Sequence, residues 1–559
     1  MGHTGAGSHT PVDLGTREFT VSDTQKADLD AVVIGAGFAG IYMLHKLRDE
    51  LGLTVRVFDK AGGVGGTWYW NRYPGAMSDT ESFVYRYSFD QTMLQEWDWE
   101  TRYLDQPEIL AYLQAVVERH DLAKDIQLET GIDATVFDDA RGIWTVTTDD
   151  GATITARYVV TALGLLSRTN FPDIPGRDSF EGTLVHTGAW PADLTTDGKR
   201  VGVIGTGSTG CQVICAVSKT AQHLTVFQRS AQYSVPSGNG PVSAEYVDGC
   251  RADYDRIWGQ VKDSAVGFGF TESDVPAMSV SADERRRVFQ ENWDIGNGFR
   301  FMFGTFSDIA TDEDANRAAS DFIRSKIEEV VDDPETARKL MPSDLYAKRP
   351  LCNTDYYETY NRDNVTLVSI KENPITEITP NGVLTSDGVE HELDILVLAT
   401  GFDAVDGQYT RMDLRGRGGE TIQQHWKDGP TSYLGVATSG FPNLFMILGP
   451  NGPFSNIPPA IEIQVEMVAD LIRTAEEGGS AAVEATGDAE DDWTATCREI
   501  ADMTLFPKAD SWIFGANVPG KKNAVMFYMA GLGNYRQKLV DVAAAGYDGF
   551  DLRGAPAPA

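Results

Sequence analysis

The clearest periodic signal along the chain opens at Asp30. Asp30–Ile34 is an apolar run of the length of a buried strand, Phe38–Glu50 carries apolar residues at helical spacing, and Thr54–Phe58 returns to β-branched residues. The pattern predicts a strand, a helix and a second strand. Ala156–Leu163 reads as another apolar strand, stopped by Gly164, and Phe171-Pro172-Asp173-Ile174-Pro175-Gly176 reads as a linker. From Lys199 the pattern restarts, with a strand over Val201–Ile204, a helix over Ser208–Ser218 and a strand over Leu224–Phe227. Residues 242–340 are helical in period and dense in charge. Asp394–Ala399 is a last buried strand, running into Thr400-Gly401-Phe402-Asp403.

Both strand-to-helix turns are glycine-rich. The first is Gly35-Ala36-Gly37-Phe38-Ala39-Gly40 and the second Gly205-Thr206-Gly207-Ser208-Thr209-Gly210. Such turns let the backbone approach a pyrophosphate at a helix N-terminus. The residue at the tip of the following strand then reads the ribose. After the first turn it is Asp59, whose carboxylate suits a free 2′-hydroxyl; after the second it is Arg229, followed by Ser230, which suits a 2′-phosphate. The chain therefore predicts two dinucleotides, one with a free ribose, such as FAD, at the first site and NADPH at the second.

The fold expected is α/β, with two Rossmann-like units, the second nested in the first. The FAD unit takes residues 28–165 and 400–553. A linker and the NADPH unit take 166–235 and 335–399, around a helical insertion at 236–334. Residues 1–27, rich in Gly, Thr, Ser and Asp, read as a disordered extension, and 554–559 as a loose tail.

Composition narrows the partners. At 559 residues the chain exceeds one core, and 42% hydrophobic with 23% charged residues is an ordinary globular balance. The net charge of −35 argues against nucleic acid and anionic membrane surfaces. No run of 18 apolar residues suggests a membrane span. The five cysteines, Cys211, Cys215, Cys250, Cys352 and Cys497, form no CxxC pair, which fits reduced thiols in a cytoplasm. It also removes a disulfide reductase, which needs a redox pair in its first unit. No histidine or carboxylate pattern accompanies Cys211 and Cys215, so no metal site is expected. No apolar stripe asks for a partner copy, and a monomer is expected.

Between the two glycine turns lies Phe180-x-Gly182-x-x-x-His186-x-x-x-Trp190-Pro191. In that position it resembles the fingerprint of the Baeyer–Villiger monooxygenases. Gly65-Gly66-Thr67-Trp68-Tyr69-Trp70-Asn71-Arg72-Tyr73-Pro74-Gly75, Lys348-Arg349-Pro350 and Asp510-Ser511-Trp512-Ile513-Phe514-Gly515-Ala516-Asn517 are similar to stretches of the cyclohexanone monooxygenases. The resemblance extends over residues 28–553.

The resemblance implies an FAD- and NADPH-dependent enzyme. It would insert one oxygen atom of O2 into a cyclic ketone through a flavin C4a-peroxide, giving a lactone, with sulfoxidation as a side activity. It implies Arg349 as the catalytic cation and Asp79 as the acid that orients it. The residue type fits, since arginine stays protonated at any working pH and Pro350 biases Arg349 to extended backbone. Lys60, Gly66, Thr67, Trp68, Asp79 and Tyr85 fall to the FAD site. Lys348 offers a second cation for the 2′-phosphate, and Trp512 is implied to reach the nicotinamide end. His186 would couple the linker to domain movement without touching the reacting atoms. Leu166, Phe268, Phe299, Phe454, Ser455, Ile457 and Phe527 are implied as the ketone pocket. Where the family pattern has Thr and Leu, this chain has Ser455 and Ile457, which leaves the substrate range open. The alternatives are a flavin-dependent N- or S-monooxygenase, against which Trp190-Pro191 and Arg349 weigh, and a non-catalytic flavoprotein.

Overall fold

Alternation along Leu29–Ile34 sets the first layer. Ala31 and Val33 enter one buried cluster while Val32 and Ile34 enter another, so the strand is covered on both faces. In this computed structural model, which describes residues 27–554, that strand pairs in parallel with Val55–Phe58 on one side and Thr153–Thr161 on the other. The sheet continues to eight strands. The hairpin Ile132–Asp138/Ile143–Thr148 pairs with the start of Thr153–Thr161, and Leu444–Met446 pairs with its end. Trp144 and Phe137 seal one face. Helices Phe38–His45 and Ile457–Gly478 cover the other.

The second layer repeats the rule. Val365–Ser369, His223–Gln228, Arg200–Ile204, Ile395–Leu398 and Thr183–His186 form a five-stranded, wholly parallel sheet in that order. Its strands lie in sequence inside the span of the first sheet, whose last members are Asp413–Arg415 and Leu444–Met446. The fold is therefore α/β with two Rossmann-like sheets, one nested in the other.

Between the two halves of the second sheet the chain is mainly helical. Ala244–Ala252, Ala282–Ile295, Glu313–Val330 and Pro334–Leu340 each start on a side-chain cap, from Ser243, Ser281, Asp312 and Asp333. Tyr254–Asp263 follows the first of these directly. The helix expected over Phe38–Glu50 changes to a wider π turn over Lys46–Glu50. The glycine-rich stretch after Ala61 contains one helical turn, Thr67–Trp70.

The expectation of a loose tail from 554 is corrected at its first residue. Gly554 pairs with Ser480, and Arg553 with Ala482, in the antiparallel strand Phe550–Gly554. The remainder of the tail, and the expected N-terminal extension up to residue 26, lie outside the described residues. Among the described residues no helix is long and apolar enough to cross a membrane.

Candidate functional site

The two glycine turns open on the same space. At the first, Gly35 has φ +111°, and a Cβ there would come within 2.4 Å of the Ala162 carbonyl. Gly37 caps the helix Phe38–His45 with extended backbone, leaving the first helical N–H groups facing outward. Gly66, with φ +55°, approaches so closely that its Cβ would meet the Gly37 Cα at 2.9 Å. Asp59 lies at the strand tip. Its carboxylate accepts from the Ala36 N–H at 2.7 Å and the Ala61 N–H at 2.9 Å, which ties the tip to the turn. A carboxylate offers about four acceptor positions, so it can still receive ribose hydroxyls.

The second turn is built alike. Gly205 has φ +109° and would clash with the Ala399 carbonyl at 2.3 Å if it bore a Cβ, while a Cβ on Gly207 would meet nothing within 4 Å. That open volume over the N-terminus of Ser208–Val217 fits a bound phosphate group. Arg229 and Ser230 are exposed at the end of His223–Gln228, and the Ser230 carbonyl accepts from the Thr206 hydroxyl at 3.1 Å. Lys348 also faces this space, but its ammonium is paired with Asp344.

Gly40 and Gly210, expected as cofactor contacts, pack against their own turns. Neither lines the cavity. A Cβ on Gly40 would come within 1.8 Å of the Gly35 carbonyl, and one on Gly210 within 2.3 Å of the Gly205 carbonyl, so each lets helix and turn touch.

A cavity of about 2110 Å³ connects the two turns. Arg349 and Asp79 stand in its wall between them. Arg349 Nη2 donates to Asp79 Oδ2 at 2.7 Å, and Nη1 donates to Ser208 Oγ at 3.3 Å, on the first residue of the second nucleotide helix. Arg349 keeps 27% of its side chain accessible and Asp79 8%. Burial lowers the affinity of Arg349 for its proton, but the adjacent Asp79 carboxylate outweighs it and the net shift is upward. The cation is therefore permanent. Asp79 is itself placed by Asn297, whose side-chain amide donates to the Asp79 carbonyl at 2.8 Å.

Aromatic walls flank this pair. Phe268 and Phe299 stack with centroids 4.1 Å apart, and Arg349 lies 5.2 Å over the Phe299 ring. Opposite them Phe454 meets Phe527 edge-on at 5.6 Å, and Trp512 meets Phe527 at 6.0 Å. Leu166, Ser455 and Ile457 complete the expected pocket on the same cavity. Trp68 Nε1 donates to the Tyr85 hydroxyl at 3.1 Å, and Lys60 lies 5.7 Å over the Trp70 ring.

The fingerprint stretch Phe180–Pro191 lies apart. Its five expected residues, Phe180, Gly182, His186, Trp190 and Pro191, do not line the cavity, although Gly188 and Ala189 do. His186 ends an edge strand. The Gly188 N–H donates to Nδ1 at 3.0 Å, which puts the ring proton on Nε2, 3.1 Å from the Gly401 carbonyl. Burial pushes its pKa down to about 4, against the pull of that carbonyl, so the ring is a neutral structural tie.

Two placing residues escaped the sequence reading. Asn297 sits at φ +82° and caps the helix that carries Phe299; the Gly296-Asn297-Gly298 run is a turn signal that could have revealed it. Asn456 accepts from the Thr80 hydroxyl at 3.1 Å and donates to the Gly267 carbonyl at 2.9 Å. It stands just before Ile457-Pro458-Pro459, a helix-start pattern.

Known proteins resemble this chain over nearly its whole length. A sequence model of the pyridine nucleotide-disulphide oxidoreductase family matches residues 29–247. A phenazine N-monooxygenase of Lysobacter antibioticus is 65% identical over 96% of this chain and 99% of its own. A Baeyer–Villiger monooxygenase of Pseudooceanicola batsensis is 60% identical over 94% and 96%. The crystal structure of a cyclohexanone monooxygenase from Rhodococcus sp. Phi1 bound to NADP+ superimposes with a TM-score of 0.94 at 62% identity, covering 94% of this chain and 99% of that one.

Proposed function

As this chain belongs to the Baeyer–Villiger monooxygenase family of flavin-dependent enzymes, we propose that it inserts one atom of O2 into a cyclic ketone to give a lactone, using FAD and NADPH. One NADPH, one proton and one O2 are consumed per ketone, and NADP+ and water are released. The observation that carries this reading is the Arg349–Asp79 pair between two nucleotide turns and beside an aromatic wall.

A flavin held here would supply the hydride acceptance from NADPH and the activation of dioxygen. The chain's residues do the rest. Gly37, Phe38, Gly66 and Thr67 offer backbone to the FAD pyrophosphate, and Asp59 offers its carboxylate to the ribose. Trp68 and Tyr85 lie alongside. The N-terminus of Ser208–Val217, with Thr209, would hold the NADPH pyrophosphate, and Arg229 and Ser230 its 2′-phosphate, with Lys348 joining them on leaving Asp344; Trp512 would lie toward the nicotinamide end. Arg349, held by Asp79 and Ser208, stabilises the negative charge that oxygen transfer to a carbonyl develops, without giving up a proton. The phenyl rings exclude water from that charge. The Phe180–Pro191 stretch, with His186 tied to Gly401, serves movement between the two nucleotide units, residues 28–165 with 400–553 and 166–235 with 335–399.

The test is oxygen-dependent NADPH oxidation with cyclohexanone and product identification by gas chromatography–mass spectrometry. One ε-caprolactone per NADPH is expected, with aryl sulfoxides from sulfides. NADPH consumption yielding only hydrogen peroxide overturns the ketone assignment. A second reading, oxygenation of an aromatic ring nitrogen, is supported by the 65% relative named for that chemistry. An N-oxide formed from phenazine at a rate exceeding lactone formation would favour it.

A further inference from the structure

Residues 82–99 of the first nucleotide unit, of which Tyr85 lines the cavity, pack against helices Ala244–Ala252 and Tyr254–Asp263. Gln95 donates to the Arg251 carbonyl at 2.9 Å, and Arg251 pairs with Asp98. Arg86, 1% exposed, is enclosed in this seam. Its Nε donates to the Ser82 carbonyl at 2.9 Å. Its Nη1 and Nη2, which carry four N–H groups, have no acceptor among the described residues. The guanidinium lies 4.4 Å over the Trp99 ring, and Arg251 lies 5.8 Å from the same ring. Trp99 Nε1 and the Tyr254 hydroxyl, on residues 4% and 3% exposed, also lack an acceptor among the described residues.

Among the described residues no carboxylate is paired with this cation. Burial lowers the affinity of Arg86 for its proton, and the ionisable groups with the largest influence on it are Tyr254, Tyr112, Arg251 and Cys250. Burial pushes both tyrosines and the thiol upward, so all three stay neutral. The neighbouring carboxylates are engaged elsewhere: Asp90 by Arg119 and His120, Glu462 by Ser88 and Lys262, and Glu81 by Arg102 and Arg300. A guanidinium cannot shed its proton to escape burial, and stacking on an indole offsets only part of the desolvation.

We propose that Arg86, Trp99 and Tyr254 form a closed binding site for a small monovalent inorganic anion of the halide class. Arg86 and Trp99 belong to the first nucleotide unit and Tyr254 to the insertion, so the unpartnered groups come from both sides of the seam. A halide accepts hydrogen bonds without requiring any in return, which suits a guanidinium, an indole N–H and a hydroxyl that can each donate. The anion ties the first nucleotide unit to the insertion; the loop after Tyr254–Asp263 carries Phe268 of the aromatic wall. Arg86, Trp99 and Tyr254 do not line the cavity, so the anion has a structural role.

The test uses the FAD-loaded enzyme dialysed into sodium gluconate and titrated with sodium bromide at constant ionic strength. A saturable rise of about 2 °C in the thermal midpoint is expected. Crystals grown in bromide should show an anomalous scatterer within hydrogen-bond distance of Arg86. Arg86→Met should abolish the bromide dependence, and Tyr254→Phe, which removes one hydroxyl, should weaken bromide binding by about 10-fold or more. Should Arg86→Met not fold, the Tyr254→Phe titration and the anomalous map decide. Equal melting in gluconate and bromide, a bromide effect undiminished in the variants, or bromide found only at exposed positions would overturn the proposal and leave buried water as the partner of these donors.

Discussion

Arg349 and Asp79, 270 positions apart in sequence, meet at 2.7 Å. Ser208, the first residue of the second nucleotide helix, takes a further bond from the same guanidinium at 3.3 Å. The cation is thus held from both nucleotide units at once and lines the cavity. An arginine fixed in this way is already oriented before charge develops, which is what electrostatic stabilisation of a transition state requires.

Arg349→Ala should therefore retain NADPH oxidation and lose oxygenated product by at least about 100-fold. Parallel measurement of NADPH consumed and lactone formed checks this. A normal product yield removes Arg349 from the chemistry.

The exposed Arg229 stands where a 2′-phosphate is expected. Arg229→Ala should raise the KM for NADPH by about 10- to 100-fold, the worth of a charge-assisted hydrogen bond, and leave that for NADH nearly unchanged. Equal effects on the two nucleotides would refute the assignment.

Glycines that look alike in the fingerprints should behave differently. Gly40→Ala forces a methyl to within 1.8 Å of the Gly35 carbonyl, and should cost several kcal/mol of stability with loss of bound flavin. Gly207→Ala meets no protein atom within 4 Å, so it should melt like the parent enzyme but bind NADPH more weakly. Thermal midpoints, flavin content and KM for NADPH separate the two.

Acid sensitivity should concentrate at Glu490, which is 2% exposed. Burial alone would raise its pKa, but the His425 ring at 3.0 Å, with the Ser439 N–H and the Thr431 and Thr438 hydroxyls, brings it down to about 2 from the ordinary 4.5. A carboxyl lowered on folding stabilises the chain above pH 4.5, and that contribution is lost as the pH falls toward 2. His425 is shifted upward by its carboxylate partners despite burial, so its share is complete below 6.5 and is lost as the pH rises through the raised value. Glu490→Gln should lose about 3 kcal/mol at pH 6 and approach the parent enzyme near pH 2. Thermal midpoints of both proteins against pH check the convergence.

Much of the fold was legible because it is local. Buried parallel strands leave short apolar runs, and the turns after Ile34 and Ile204 demand glycine at positive φ under a carbonyl. Asp59 and Arg229 were legible for the same reason, being the ends of strands whose starts were already marked. The role of Gly40 and Gly210 was not, since contact with a cofactor and contact with the preceding turn ask for the same missing Cβ. Asn297 and Asn456 were passed over because a lone asparagine at a helix start has an ordinary capping role; their bonds to the Asp79 and Gly267 carbonyls exist only once distant segments meet.

By itself the sequence determined the two nucleotide turns, the charge at each strand tip, the nested order of the units and the family resemblance, because spacing within a few residues of a strand or helix controls all of these. Only the tertiary structure decided that Asp79, Ser208 and Arg349 share one set of bonds, that Lys348 is paired with Asp344, and that Arg86 is buried without a counter-charge among the described residues. Those are properties of side chains brought together from separate units, and their energies depend on burial and on partners that no local pattern specifies.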